Sequence, residues 1–277
     1  MSLLTSIESA CFTGLRHLLR ARATDITTAT RSRSCLIIAP HPDDEVLGAG
    51  GTAAMKVAAG SVVTIVIVTD GRQSHESTKL TPEALVAMRE QESLAGAARL
   101  GVARDRLHHL RVRDGETATC RDAIRSSLLG LIRESSPKEI ISPSPIDRHA
   151  DHRTLGVIIA EMIAAGEITV PVLEYPVWFW SFGAWRPRPG GAGLAWSVSR
   201  VLTALFRTPV VRVDVEEGLG QKRLALAEHR TQMESITGEP DWGVLDERFL
   251  AHFFDGSELF FPLSIEKATL RARRGFA

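Results

Sequence analysis

Continuous apolar runs alternate with amphipathic stretches along most of the chain. "CLIIAP" precedes a helical pattern at 46–59, "VVTIVIVTD" one at 82–100, "LHHLRV" one at 120–134 and "EIISPS" one at 151–165. "ITVPVLEY" follows, and "PVVRVDV" leads into a last helical pattern at 217–233. A strand that is hydrocarbon at nearly every position has both faces buried, and strands that alternate with helices are joined by crossovers. The pattern therefore predicts the α/β class, a Rossmann-like, mainly parallel sheet with helices on both faces. Pro82 and Glu83 mark a helix start, and "RLGV" at 99–102 ends that helix on a glycine. In such sheets ligands bind beyond the carboxyl ends of the strands, so the loops after Ala39, Val68, Val112 and Ser142 are where chemistry is expected.

The alternation breaks once. Residues 176–209 hold four of the five tryptophans, with Arg186, Arg188, Arg200 and Arg207, while Pro187, Pro189 and a cluster of glycines forbid regular structure through the middle. This reads as an insertion. The expected organisation is an N-terminal helical extension, 1–34, and a single domain, 35–277, carrying that Trp-rich insertion. No internal repeat or low-complexity tract interrupts it.

Composition narrows the function classes. The 44% hydrophobic and 24% charged residues are those of a globular protein rather than a disordered one. The 33 basic and 33 acidic side chains cancel, so no overall field draws the chain to nucleic acid. Three widely spaced cysteines, Cys11, Cys35 and Cys120, point to a reducing compartment. No apolar stretch is long enough to span a bilayer, and the charged N-terminus lacks a signal-peptide core, so a cytoplasmic location is expected.

The first strand runs into "HPDDE", 41–45, which has three readings. As a helix start, Asp43 or Asp44 caps free N–H groups and Glu45 favours the dipole. As a phosphate loop it fails, because "GAGG" falls inside the helix pattern, no dinucleotide or Walker fingerprint is present, and three acids repel an anion; the glycines let the helix pack closely on the sheet. As a metal site it needs partners. "SPSPIDRHADHRTLG", 142–156, supplies them, with His149 and His152 flanking Asp151 at an equivalent strand end. One His and one Asp from the first loop and one His from the second make the three-ligand set of an open catalytic zinc site.

"PHPDDEVLGAGGT" together with "HADHRTLG" resembles the PIG-L / LmbE family of metal-dependent de-N-acetylases, and the likeness extends to "VTDGR" at 68–72, "MREQESLAGAARLGV" at 88–102, "RDGE" at 113–116 and "KRLALAEHRTQ" at 222–232. The resemblance implies that His41, Asp44 and His152 hold Zn²⁺, with Fe²⁺ or another divalent metal as the alternative. It leaves Asp43 unliganded as general base towards water whose pKa the metal lowers. It implies that His149, as an imidazolium oriented and raised by Asp151, stabilises the oxyanion and protonates the departing amine; the plainer alternative is that His149 and Asp151 only fix His152. Where some relatives place a tyrosine, two residues before His149, Asp147 stands here.

For substrate, the resemblance implicates Arg89, whose plainer role is an ion pair with Glu92, and Asp114, whose plainer role is in a turn. His75, His108, His109, His229 and His252 are expected in surface or core roles, His229 least securely because "HRTQ" belongs to the resemblance. The implied substrate is an N-acetylglucosamine-type conjugate, lipid-linked or otherwise, cleaved by a de-N-acetylase. The alternatives are an amidase on another amide of a sugar conjugate and a non-catalytic glycan-binding module. Residues 1–22 and 194–207 enter as amphipathic stretches able to touch a membrane peripherally.

Overall fold

The structure, a computed structural model, describes residues 3–147, 149–181, 203 and 208–275. In chain order these form α1 (Leu3–Arg22), β1 (Thr24–Asp25), α2 (Thr27–Arg31), β2 (Cys35–Ala39), α3 (Asp44–Ala58), β3 (Val63–Thr69), α4 (Pro82–Arg99), β4 (Leu107–Val112), α5 (Arg121–Ser135), β5 (Glu139–Pro143), α6 (Ala150–Ala164), β6 (Val172–Tyr175), β7 (Val211–Asp214), α7 (Leu219–Glu228), α8 (Arg230–Met233), α9 (Glu247–Ala251), β8 (Ser257–Pro262) and α10 (Ile265–Arg274).

The strands make one eight-stranded sheet in the order β1-β7-β8-β6-β5-β2-β3-β4. The pairings from β6 through β4 are parallel, as the apolar runs predict, whereas β8 lies antiparallel to both β6 and β7. Side chains alternate across a strand, and here both faces are used. Cys35, Ile37 and Ala39 of β2 join the core beneath α1, α3 and α7. Leu36 and Ile38 join the core beneath α5, α6 and α10. That double burial is why β2 reads as unbroken hydrocarbon.

Local chemistry sets the boundaries. Thr81 caps α4 by accepting from the Ala84 amide, Pro82 opens the helix, and Gly101 at φ 79° ends it as Val102 donates back to Ala97. "ITVPVLEY" is shorter as a strand than its apolar run, since β6 starts only after Pro171, which has no N–H to give a ladder. The helical pattern at 217–233 is broken at His229, where ψ is 59°. Residues 257–274 add β8 and α10, which lie beyond the last predicted element.

The N-terminal extension is helical but not separate. Phe12, Leu15 and Leu19 of α1 enter the main core, and Arg16 pairs with Asp255 at 2.5 Å, so these side chains of the helix are occupied inside the fold. β1 adds an edge strand to β7. Among the described residues no helix is long and apolar enough to cross a membrane. Of the Trp-rich stretch, Phe179 and Trp180 are buried, Trp178 is 36% exposed, and the amphipathic segment 194–207 lies outside the described residues except for Thr203.

Candidate active site

β2 has β3 on one side and β5 on the other; the chain runs outwards to β4, then returns across β2 to form β5 and β6. Loops leaving neighbouring strands therefore diverge to opposite faces between β2 and β5, and the crevice there is the ligand position of a doubly wound sheet. "HPDDE" follows β2 and "DRHADH" follows β5, so the two charged clusters meet at this switch point. The Thr69 amide and hydroxyl both donate to Pro40 O, at 2.9 and 2.8 Å, and pin the first loop to β3. Gly48 and Gly156 then bring the helices in. A Cβ on Gly48 would lie 2.1 Å from the Tyr175 ring, and one on Gly156 would lie 2.9 Å from Pro145.

Three atoms converge on one point. Asp44 Oδ2 is 3.0 Å from His41 Nδ1 and 3.2 Å from His152 Nε2. Each histidine has its other nitrogen on a second carboxylate: His41 Nε2 is 3.2 Å from Asp151 Oδ2, and His152 Nδ1 is 2.9 Å from Asp147 Oδ2. Among the described residues the buried His152 Nε2 makes no well-formed hydrogen bond. A carboxylate behind each imidazole, with the opposite nitrogens aimed at a shared acid, is the arrangement that orients histidines towards a metal, and this donor set fits a divalent cation. His41, His149 and His152 also offer nitrogens within 4.8 Å of one another, as do His41, Asp114 and Asp151 with one atom each.

The electrostatics of the cluster follow from this packing. Burial opposes charge on His41 and His152, but hydrogen bonds and charges from Asp151, Asp44 and Asp147 outweigh it, raising His41 to about 10 and His152 to about 9. Burial alone would raise Asp44 as well; instead His152 and His41 hold it far below the usual carboxylate range. Asp43 differs from its neighbour: burial raises it to about 7, against the opposing charge of Arg89. Its backbone is left-handed, φ 114°, and its side chain faces a cavity of about 510 Å³ that also admits Asp44, His149 and Asp114. Adjacent acids are thereby given opposite environments.

Several contacts differ from expectation. Asp151 Oδ2 is 3.9 Å from His149 Nδ1, near enough to act on it by charge, but its hydrogen bonds go to His41, the Thr117 hydroxyl and the Gly115 amide. His149, at the cavity mouth, is lowered to about 4 by burial and the neighbouring His41 and His152, the reverse of a standing imidazolium. Arg89 is 2% exposed and makes no pair with Glu92. It lies at the cavity floor, donating to Pro42 O and Gly71 O with Nη2 3.5 Å from Asp43, while Glu92 binds the amide and hydroxyl of Thr231. Asp114 lines the cavity and also accepts from the Gly71 and Gln73 amides, at 3.3 and 3.0 Å.

Sequence reasoning missed the role of Asp147, whose carboxylate accepts from His152 and from the Val177 and Phe179 amides. It also missed His75, which stacks on Trp242 at 4.1 Å, pairs with Gly243 O and lines the same cavity. His108 and His109 sit on β4, and the buried His252 stacks on Trp180, as expected of structural histidines.

Fold and site together define an α/β domain with a two-histidine, one-carboxylate cluster at the sheet's switch point. Residues 36–163 match the PIG-L family, described as GlcNAc-PI de-N-acetylase, and this segment is a PIG-L domain. The chain is 30% identical over 135 residues to a diacetylchitobiose deacetylase of Thermococcus kodakarensis, a match covering 48% of this chain and only about half, 49%, of that relative. It is 28% identical over 260 residues to a 1D-myo-inositol 2-acetamido-2-deoxy-alpha-D-glucopyranoside deacetylase of Streptomyces avermitilis, covering 85% and 80% of the two chains. The solved N,N'-diacetylchitobiose deacetylase from Pyrococcus horikoshii shares the fold, with a TM-score of 0.63 at 23% identity over 95% of this chain and 93% of that one.

Proposed function

We propose that the protein is a divalent-metal-dependent deacetylase of an N-acetylglucosamine-type conjugate. The observation that carries this reading is the contrast at 43–44: Asp44 Oδ2 joins His41 Nδ1 and His152 Nε2, while Asp43, with a left-handed backbone, lines the cavity with Arg89 and not a histidine beside its carboxylate. The names of the relatives supply the substrate class.

His41, Asp44 and His152 would hold the metal, Zn²⁺ or another divalent ion. Bound there, it would polarise the acetamide carbonyl and make water a stronger acid. Asp43, poised near neutrality, accepts the proton of the attacking water at its carboxylate. As the C–N bond breaks, the protonated Asp43 returns that proton to the amine, leaving acetate and the free amino sugar. His149 is neutral at pH 7 in this setting and suits donation of a ring N–H to the carbonyl oxygen, not transfer of a stored proton. Asp114 and Gln73 line the same cavity and offer hydrogen-bonding groups to sugar hydroxyls.

The test is an acetate-release screen over N-acetylglucosaminyl lipids, nucleotides and thiols, with and without chelator. Chelator-sensitive acetate release from at least one of them is expected. Protein that binds no stoichiometric metal and releases no acetate after Zn²⁺ addition would overturn the reading.

A further inference from the structure

Asp43 is not a glycine, yet its φ of 114° puts it in a left-handed backbone that side chains rarely adopt. Such a conformation persists only where the surroundings over-determine it. Two contacts grip the peptide unit that joins Pro42 to Asp43, one at each end. The Asp43 amide donates to Glu45 Oε2 at 3.0 Å, and Arg89 Nη2 donates to the carbonyl of Pro42.

Glu45 follows the ligand Asp44 directly but points the other way. It is buried and lies outside the cavity lining, and its second oxygen, Oε1, is 3.5 Å from His229 Nε2. His229 is wholly buried, and among the described residues neither of its ring nitrogens makes a well-formed hydrogen bond. The break between α7 and α8 turns this ring inwards, and Gly96 of α4 makes room for it: a Cβ there would lie 3.0 Å from Nε2. Chain segments far apart in sequence, 96, 229 and 45, are thus assembled behind the Asp43 amide, on the side away from the reaction.

We propose that Glu45 and His229 are positioning residues for Asp43: Glu45 holds its amide, and with it the left-handed turn that aims the carboxylate at the cavity, and the His229 ring, 3.5 Å from the second oxygen of Glu45, backs that carboxylate from behind. The functional consequence rests on the reading of Asp43 as the base. A misaimed base costs rate rather than substrate or metal binding, and small displacements of a reacting group cost about 100-fold.

Amide exchange followed by NMR on the metal-free protein tests the geometry, and kcat, KM and metal content of the loaded protein test the consequence. The Asp43 amide should be protected in wild type and in Glu45→Gln, which keeps an acceptor oxygen, and should exchange roughly tenfold or more faster in Glu45→Ala. In the same variant kcat should fall on the order of 100-fold with KM and metal stoichiometry little changed, while Glu45→Gln recovers most of the rate. His229→Asn should lower kcat by a smaller factor, on the order of tenfold. An Asp43 amide that exchanges freely in wild type overturns the proposal, and so does a Glu45→Ala protein that keeps wild-type kcat. If Glu45→Ala fails to fold, exchange in wild type and Glu45→Gln still decides. If wild type releases no acetate from any substrate, the functional reading fails while the exchange result stands on its own.

Discussion

Asp147→Asn is a change of one atom with a consequence at the proposed metal ligands. The Asp147 carboxylate is buried and serves three donors, the Val177 and Phe179 amides and His152 Nδ1, at about 2.9 Å each. An asparagine keeps one oxygen for the two backbone amides and must then set its NH₂ against His152 Nδ1. Two donors cannot share that bond, so the ring changes tautomer: Nδ1 gives up its proton and Nε2 takes it. A protonated Nε2 is no longer a ligand. Loss of such an orienting carboxylate lowers metal affinity about 10- to 100-fold, or ~1.4 to 2.7 kcal/mol. The fold suffers less, since both backbone donors keep a partner and only charge assistance is lost, on the order of 1 to 2 kcal/mol. Competition against a fluorescent zinc chelator, with a thermal melt in EDTA as the control, separates the two effects. Affinity within twofold of wild type would refute the argument that Asp147 sets the His152 tautomer.

Two further outcomes follow from packing and charge. Gly48→Ala drives a methyl into the Tyr175 ring, 2.1 Å away, and should cost roughly 3 kcal/mol or more, read as a lowered melting temperature at unchanged metal affinity per folded molecule. In metal-free protein His41 and His152 have folded values of about 10 and about 9, above their usual 6.5, so the stability they contribute is complete below about pH 6.5 and is lost as pH rises through 9 and 10. Asp43, raised to about 7, acts in the same direction, its stability falling away between its usual 3.8 and 7. The metal-free melt should therefore drop between pH 7 and pH 10, and metal binding near pH 7.5 should release about two protons, measurable by calorimetry in buffers of different ionisation enthalpy.

The central strands were legible because β2, β3 and β5 are buried on both faces, and short runs of continuous hydrocarbon between turn residues fit a strand covered on both sides. β8 carried a signal as well, the turn "DG" before "SELFF", but its antiparallel place between β6 and β7 depends on contacts far away in sequence. Both halves of the cluster were readable from spacing and strand ends. What spacing hid was direction. Asp151 sits two residues from His149, which suggested a pair, yet the first turn of α6 faces Asp151 towards the β2 loop and gives it to His41. Arg89 lies on a helix whose approach to the cavity floor buries it, and there the side chain also meets Asp43, a contact that spacing gave no sign of. His229 gave no metal-ligand spacing, and only the break after α7 brings it to Glu45.

The central claim is that two adjacent aspartates do different work, and the metal content of two single variants tests it. Purified, reconstituted Asp43→Ala should carry wild-type metal and lose almost all acetate release, whereas Asp44→Ala should lose the metal and the activity together. Loss of metal from Asp43→Ala, or full metal in Asp44→Ala, would contradict the assignment.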